Sequence, residues 1–517
     1  MAADAKELAR LYQAAKGRRQ PLEALLTECY EHGLPLRDRP NQQAIGGAVV
    51  QNNVFDSTAA FALQRFASSM LTGIWPTNEQ PFDLQAGSDA QGGRDAEGWL
   101  AALTRTITTE INSSRFRSEA HAAMEDFGVG TGVMIANPGS AIEPVRFEHV
   151  PLSTAYLSQG PDGRYDGLFR PRRLEVRHVP VLYPRARLPD RWRDLLDTTP
   201  EEKVQVVEIC TRDWGQPAEE VWQFAVLPDD GGSAEEVVAE NEWRGAGSCP
   251  FLAWDFERSG GAFGRGPMQV ALPDIRQLNK LMEIRLEALD MQLTGVWQYD
   301  DDGVLNPDTV DLSVPGTLIP RAPGGKGLEP LTPRFDLRPA ETEAERLTGV
   351  IKGAFYIPDL GPTTKTPMSA TEVMQRTADR AEALSSAYGS LLVDFLFPLV
   401  RRVYWILRHH QGQAGAGWPR LDGRQVAIRP LAPLTRAMAQ GEVLRFTQFT
   451  AVHQQVAGPQ ATLLAVNTDA ATPWLADRLG IDPSLIRTAA EKAAMMQQGM
   501  ALAQQAGMLP QPEAPAV

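Results

Sequence analysis

Few stretches of this 517-residue chain combine residue types at spacings that do chemistry. Gly128-Val129-Gly130-Thr131-Gly132 comes nearest to a phosphate cradle. A dinucleotide fingerprint needs GxGxxG after a strand and at the opening of a helix. Here the spacing is GxGxG, and the run closes a helical pattern and leads into an apolar strand-like one, so the context is reversed. Residues 259–266 (SGGAFGRG) lack the Lys-Ser/Thr pair of a P-loop and read as a flexible lead-in to the helix that follows. Asp300-Asp301-Asp302-Gly303 lacks the alternating ligands and the twelfth-position Glu of a calcium loop, which leaves an acidic exposed turn. The seven histidines include no HExxH, and His409-His410 suit the negative end of a helix. No GxSxG elbow occurs either. The sequence therefore predicts no enzyme, no cofactor and no metal site.

Composition narrows the classes further. An apolar fraction of 43% with 22% charged residues describes a core-forming chain. The formal charge of −14 argues against a broad basic face that grips nucleic acid, though not against a surface past which DNA slides. Cys29, Cys210 and Cys249 are far apart and include no CxxC, so reduced thiols are expected rather than a disulfide or zinc framework. The N-terminal residues MAADAKELARLYQ form a polar helical pattern and not a signal peptide, and no run of about eighteen apolar residues predicts a membrane span.

The elements that position these residues follow from periodicity. Residues 4–33 predict two short helices broken at Gly17 and Pro21. Asp56 caps a helix that ends at Gly73, and residues 95–112 and 113–128 predict two more. From Gly132 to Trp254 short apolar runs alternate with Asp-Gly, Pro and Gly-Gly signals, the texture of antiparallel strands, with 161–168 (PDGRYDGL) the clearest turn. After Pro273 comes a long two-faced helix. Ile275, Leu278, Met282, Leu286, Leu289 and Leu293 form its apolar stripe, and Arg276, Lys280, Glu283, Glu287 and Asp290 its charged one. Residues 298–337 predict a small β-containing excursion with exposed tips, 339–355 a second helix and 356–368 a Pro- and Thr-rich loop. The longest helical pattern, 369–410, opens on a Ser369–Glu372 capping box and carries Pro398 inside, where a kink is expected. A strand at 426–434 and helices near 436–456, 470–480 and 484–507 complete an α+β, mainly helical chain.

Several segments, in one consistent order, resemble the head-to-tail connector or portal proteins of short-tailed, T7-like phages. They are residues 56–84 (DSTAAFALQRFASSMLTGIWPTNEQPFDL), 116–136 (FRSEAHAAMEDFGVGTGVMIA), 147–174, 264–281 (GRGPMQVALPDIRQLNKL), 367–407 and 426–442 (VAIRPLAPLTRAMAQGE). The ordered set carries the likeness, since no single motif is diagnostic.

This resemblance implies a portal fold with wing, stem, clip, tunnel loop and crown. On that plan residues 1–265 form the wing, 266–297 the first stem helix, 298–337 the clip and 338–355 the second stem helix. Residues 356–368 become the tunnel loop, 369–440 a long wing helix and strand, and 441–517 the crown and tail. The implied function is a homo-oligomeric ring, usually a dodecamer, at one capsid vertex of the virion, assembled in the host cytoplasm. Double-stranded DNA passes through its channel in packaging and ejection. The implied partners are the terminase large subunit, the major capsid and scaffolding proteins, the tail adaptor and nozzle proteins, and internal core or ejection proteins, with no membrane. Lys352, Thr363, Thr364 and Lys365 are the tunnel-loop candidates. Asp300, Asp301, Asp302, Arg321 and Lys326 are the candidates for terminase or adaptor docking at the clip. Arg276, Lys280, Glu283 and Glu287 are the candidates for contacts between stem helices of neighbouring subunits. The alternatives are another phage structural component, such as a scaffold or tail protein, and an enzyme of unknown type. A scaffold would lack the β-rich middle third.

Overall fold

The computed structural model of the chain describes residues 4–38, 53–77, 79–86, 94–140, 142–215, 219–229, 236–258, 261, 263–294, 296–298, 329–331, 338–357, 385–410, 426–431, 433–479 and 495. Contacts divide the chain into two units. The larger holds residues 1–71, 86–365 and 389–427, and the smaller 72–85, 366–388 and 428–517.

The larger unit begins with helix α1 (Ala5–Arg19), whose N-terminus is capped by Asp4 accepting from the Lys6 amide at 3.0 Å. Gly17 does not break it, contrary to the sequence expectation. One glycine costs a helix about 1 kcal/mol, which burial of Leu8, Tyr12 and Ala15 on the same helix offsets. The interruption falls at the 3₁₀ turn Gln20–Leu22, where Pro21 has no amide to donate, and α2 (Glu23–Gly33) follows. Helices α3 (Thr58–Ile74), α4 (Arg94–Ser113) and α5 (Phe116–Val129) come next, with strand β1 (Phe82–Ala86) between α3 and α4. Asp56 accepts from the Thr58 amide at 2.8 Å, at the start of α3.

The β-rich third forms two antiparallel sheets. Strands β2 (Thr131–Pro138), β3 (Val145–His149) and β9 (Phe251–Asp255) make a three-stranded sheet in the order β3-β2-β9. Strands β4 (Tyr156–Gln159), β5 (Tyr165–Glu175), β6 (Lys203–Arg212), β7 (Val221–Pro228) and β8 (Ala239–Arg244) form a five-stranded meander in sequence order. The β4–β5 turn holds Gly163 at φ +74°, a left-handed position that favours glycine.

Alternation splits the meander's residues between its two faces. Phe169, Val207, Ile209, Ala225 and Leu227 pack against Leu8, Tyr12 and Ala15 of α1. Val204, Val206 and Val226 pack against Val176, Val179, Tyr183 and Trp192. The last four belong to a 3₁₀ turn (Val176–His178), α6 (Val179–Leu182), α7 (Asp190–Thr198) and their connections. These short helices were invisible in a sequence texture dominated by strand signals.

Two long helices follow the sheets, α8 (Pro267–Thr294) and α9 (Arg338–Ala354). Between them β10 (Val296–Gln298) pairs antiparallel with β11 (Glu329–Leu331). Further on, α10 (Ser385–Leu391) passes into a π-helical turn, Leu392–Leu396, in which the Phe397 amide reaches back to the Leu392 carbonyl, and then into α11 (Phe397–His410). The irregularity precedes Pro398, which has no amide of its own to continue the ladder. The Ser369–Glu372 capping box lies outside the described residues.

In the smaller unit the backbone of β12 (Val426–Pro430) runs beside that of β1, and the Leu431 amide donates to Pro81 at 2.9 Å. Trp75 and Phe82 are buried there, with ring centroids 6.1 Å apart. Helices α12 (Pro433–Ala457), α13 (Pro459–Ala465) and α14 (Thr468–Leu479) follow. Among the described residues no helix is long and apolar enough to cross a membrane.

Candidate functional site

The two glycine-rich motifs, separated by more than a hundred residues, meet at the root of α8. Helix α5 stops at Val129 and the chain turns at Gly130 into β2, while Gly264-Arg265-Gly266 lies across it on the way into α8. The backbones touch. A Cβ on Gly130 would stand 2.4 Å from the Gly264 carbonyl oxygen, one on Gly264 2.6 Å from that of Gly130, and one on Gly266 2.4 Å from that of Gly128. Gly132 leaves room for the Trp254 ring, which a Cβ would meet at 2.6 Å. Glycine is needed here for close approach of two chains. The motif that most resembled a phosphate cradle is filled by protein backbone.

Hydrogen bonds lock the crossing. The Gly264 amide donates to Thr131 Oγ1 at 2.8 Å, and Thr131 donates to Asp255 Oδ1 at 2.7 Å. The Tyr165 hydroxyl donates to the same carboxylate oxygen at 2.6 Å. Gln269 Nε2 on α8 reaches the Val129 carbonyl at 2.8 Å, and the Phe256 amide the Gly130 carbonyl at 3.0 Å. Burial pushes the Asp255 carboxyl above its ordinary value, only partly countered by its two hydroxyl donors.

Helix α8 starts at Pro267, not after Pro273. Pro267 sits at the first helical position, where its fixed φ is pre-organised and its missing amide costs nothing; Pro273 is carried inside the helix. At 1.5 Å per residue the helix is roughly 42 Å long. Its first half is packed: Met268, Ala271, Leu272, Ile275 and Leu278 are buried. Asn279 fastens this half to the chain ahead of α3, its Oδ1 accepting from the Phe55 amide at 2.7 Å and its Nδ2 donating to the Asn53 carbonyl at 2.8 Å.

Beyond Leu278 the apolar stripe is only partly covered, with Met282 and Leu289 half-buried. Ile284 is 51% exposed and Leu286 52%. The sequence predicted one wet face and one packed face along the whole helix; within one chain the first half is buried, and the second, along which α9 returns, is only partly covered. Helix α9 returns along α8, with Arg285 donating to Glu341 at 3.0 Å. Leu347 and Ile351 of α9 are buried, as is Phe355 just beyond its end, 6.1 Å from Phe66 between ring centroids.

The predicted charged residues on these helices are described. Arg276 is bonded to Glu28 on α2 through two nitrogens. Lys280 pairs with Glu283 one turn on, at 2.8 Å. Glu287 is exposed, as is Lys352 in the last turn of α9. Asp300, Asp301, Asp302, Arg321, Lys326, Thr363, Thr364 and Lys365 lie outside the described residues.

Buried charged groups, Arg19 among them, escaped the sequence reading, and three bear on these elements. Asp126 of α5, fully buried, accepts from the Tyr30 hydroxyl at 2.6 Å, His149 Nε2 at 2.7 Å, the Leu152 amide at 3.0 Å and Arg37 at 3.3 Å. Burial pushes its carboxyl up, but His149, Arg37 and the Tyr30 bond outweigh this and hold it below the ordinary range. Arg402 of α11 donates to the Ala136 carbonyl at 2.8 Å and the Ser248 carbonyl at 2.7 Å, with Trp405 at 4.8 Å beneath its guanidinium. Burial brings it down to about 10. The third is Asp255. The available signal was a charge inside an apolar run, one in FLAWDF for Asp255 and two in LVRRVYWIL for Arg402. Among the described residues no cluster of His, Cys, Asp or Glu could hold a metal ion.

Set against known proteins, the chain matches the family described as bacteriophage head to tail connecting protein over residues 5–486. The chain belongs to that family. The connector's likeness to solved structures is looser. A chain described as "Virion of native gene transfer agent (GTA) particle" aligns with a TM-score of 0.35 at 13% identity, covering 78% of this chain and 88% of that one, too loose to bear on fold or function. No curated protein sequence matches the connector.

Proposed function

We propose that this connector is the portal of a short-tailed, T7-like phage, a non-enzymatic ring of about twelve copies at one capsid vertex. Double-stranded DNA enters and leaves through its channel. One structural observation supports assembly from copies: the distal half of α8 leaves two large apolar side chains in solvent, Leu286 on its stripe and Ile284 on another face. Large apolar side chains left in solvent this way suit cover by a neighbour in an assembly, and a ring supplies one by a heterologous contact that closes on rotation.

On this reading α8 and α9 are the stem helices, with the wing, clip, tunnel loop and crown divided as the resemblance implies. Residues 298–337 form the clip, on which Asp300, Asp301, Asp302, Arg321 and Lys326 face the terminase or the tail adaptor. Lys352, with Thr363, Thr364 and Lys365, guides DNA at the narrowest passage. Lys280, Glu283 and Glu287 meet the neighbouring stem, whereas Arg276 is already engaged by Glu28. The net charge of −14 per copy, repeated around a ring, repels phosphates and lets DNA slide.

Mass photometry with negative-stain imaging of the purified protein tests the proposal. Rings with a central hole and high rotational symmetry are expected. A monomer or dimer that persists across concentration and salt would overturn it.

A further inference from the structure

A cleft of about 640 Å³ opens between the two sheets of the larger unit, with β2 and β3 on one side and β5 to β8 on the other. Its floor is apolar, with Leu168, Phe224, Trp243 and Phe251. Its charged residues are divided unevenly. Arg170 and Arg172 on β5 form a closed set with Glu148 on β3 and Glu208 on β6. Arg170 reaches Glu148 at 2.7 Å and Glu208 at 3.7 Å, and Arg172 reaches Glu208 at 2.9 Å and Glu148 at 3.5 Å. The Tyr183 hydroxyl also donates to Glu208. Two cations and two anions in this set balance.

Arg146 and Arg185 stand exposed on the wall, outside that set, and neither has a carboxylate within 4.0 Å among the described residues. Glu240 is the remaining acid of the lining, so the cleft carries one excess positive charge in a chain of −14. The balanced set ties β3 to β5 and β6 across the cleft, and beside it Arg146, held only in the field of Glu148, and Arg185 keep guanidiniums open to a further carboxylate. Arginine presents a planar fork suited to that partner. An apolar floor with a few convergent polar groups is the form of a binding site, not of a solvated surface.

We infer that this cleft receives an acidic, apolar segment of a neighbouring copy of the chain, whose carboxylate pairs with Arg146 and Arg185 while its apolar side chains cover Trp243 and Phe224. The inference rests on the ring reading above, which supplies a copy of net negative charge beside every cleft. Both arginines are exposed and have no ion pair within 4.0 Å, so reversing them is expected to leave the fold in place at the cost of Arg146's attraction to Glu148.

The test is the double variant R146E/R185E beside the wild type, with mass photometry and circular dichroism on both. In parallel, Trp243 is replaced by the photo-crosslinking residue p-benzoylphenylalanine in the otherwise wild-type chain. The expected result is wild-type rings, a variant of unchanged unfolding midpoint that shifts to smaller species by at least tenfold in concentration, and crosslinks from position 243 to an acidic stretch of a second copy. Rings from both proteins, or crosslinks confined to the same chain or to a different protein, overturn the cleft assignment and leave the ring reading standing. A wild type that forms no rings overturns both.

Discussion

The two halves of α8 are built to opposite standards. From Pro267 to Leu278 the helix is pinned by a glycine-on-glycine crossing, a buried carboxylate with two hydroxyl donors, and five buried apolar side chains. From Lys280 to Asp290 it offers exposed ion pairs and exposed Ile284 and Leu286. The contrast teaches where the chain completes its own structure and where it leaves completion to something else. Backbone contact within 3 Å tolerates no substitution, because carbonyl oxygens cannot rotate away as side chains do. Exposed apolar side chains tolerate many in the isolated chain and few in an assembly.

Three experiments test this contrast. The largest effect is expected from Gly266→Ala, whose Cβ overlaps the Gly128 carbonyl and the Val129 carbon of a rigid crossing. A loss of about 3 kcal/mol is expected from such overpacking, read as a lowered urea midpoint; an unchanged midpoint would show that the crossing yields.

Next comes Asp255→Asn, which weakens the acceptor for Thr131 and Tyr165 and is expected to cost about 1–3 kcal/mol. Its pH dependence has a definite sign. Because the folded carboxyl titrates above the ordinary 3.8, the stability linked to it is full below that value and declines as pH rises through the folded value. Asparagine does not titrate, so the deficit of the variant narrows on going upward through that window. Urea unfolding at a series of pH values checks this, and a deficit that widens would contradict the assignment.

The smallest effect belongs to the distal half. Leu286→Ser should move the stability of the isolated chain by no more than about 0.5 kcal/mol, as for surface sites generally. The same variant should raise the concentration needed for assembly, read by mass photometry. A stability loss comparable to that of Gly266→Ala would erase the distinction between the halves.

The sequence made part of this visible. The period of α8 and the punctuation of the strands follow from local rules, so the long helices and the antiparallel texture were legible. The glycine crossing was visible only as two unrelated motifs, because their meeting depends on contacts between Gly130 and Gly264, far apart in the chain. The helix start was misplaced because Pro273 is a breaker by local rules, whereas tertiary packing of Met268 and Leu272 holds the helix through it. Arg402 was hidden for another reason: a charge in an apolar run reads equally well as a solvent-facing position until carbonyls of Ala136 and Ser248 are found opposite it.

The antiparallel pairing of Val296–Gln298 with Glu329–Leu331 brings the two ends of residues 299–328 to one narrow neck. A segment that leaves and returns at the same place is topologically a cassette, and loop closure across it grows costly only slowly with length. Evolution can therefore lengthen, shorten or exchange those thirty-odd residues without re-solving the helical hairpin beneath, and an engineer can graft a foreign module there on the same terms.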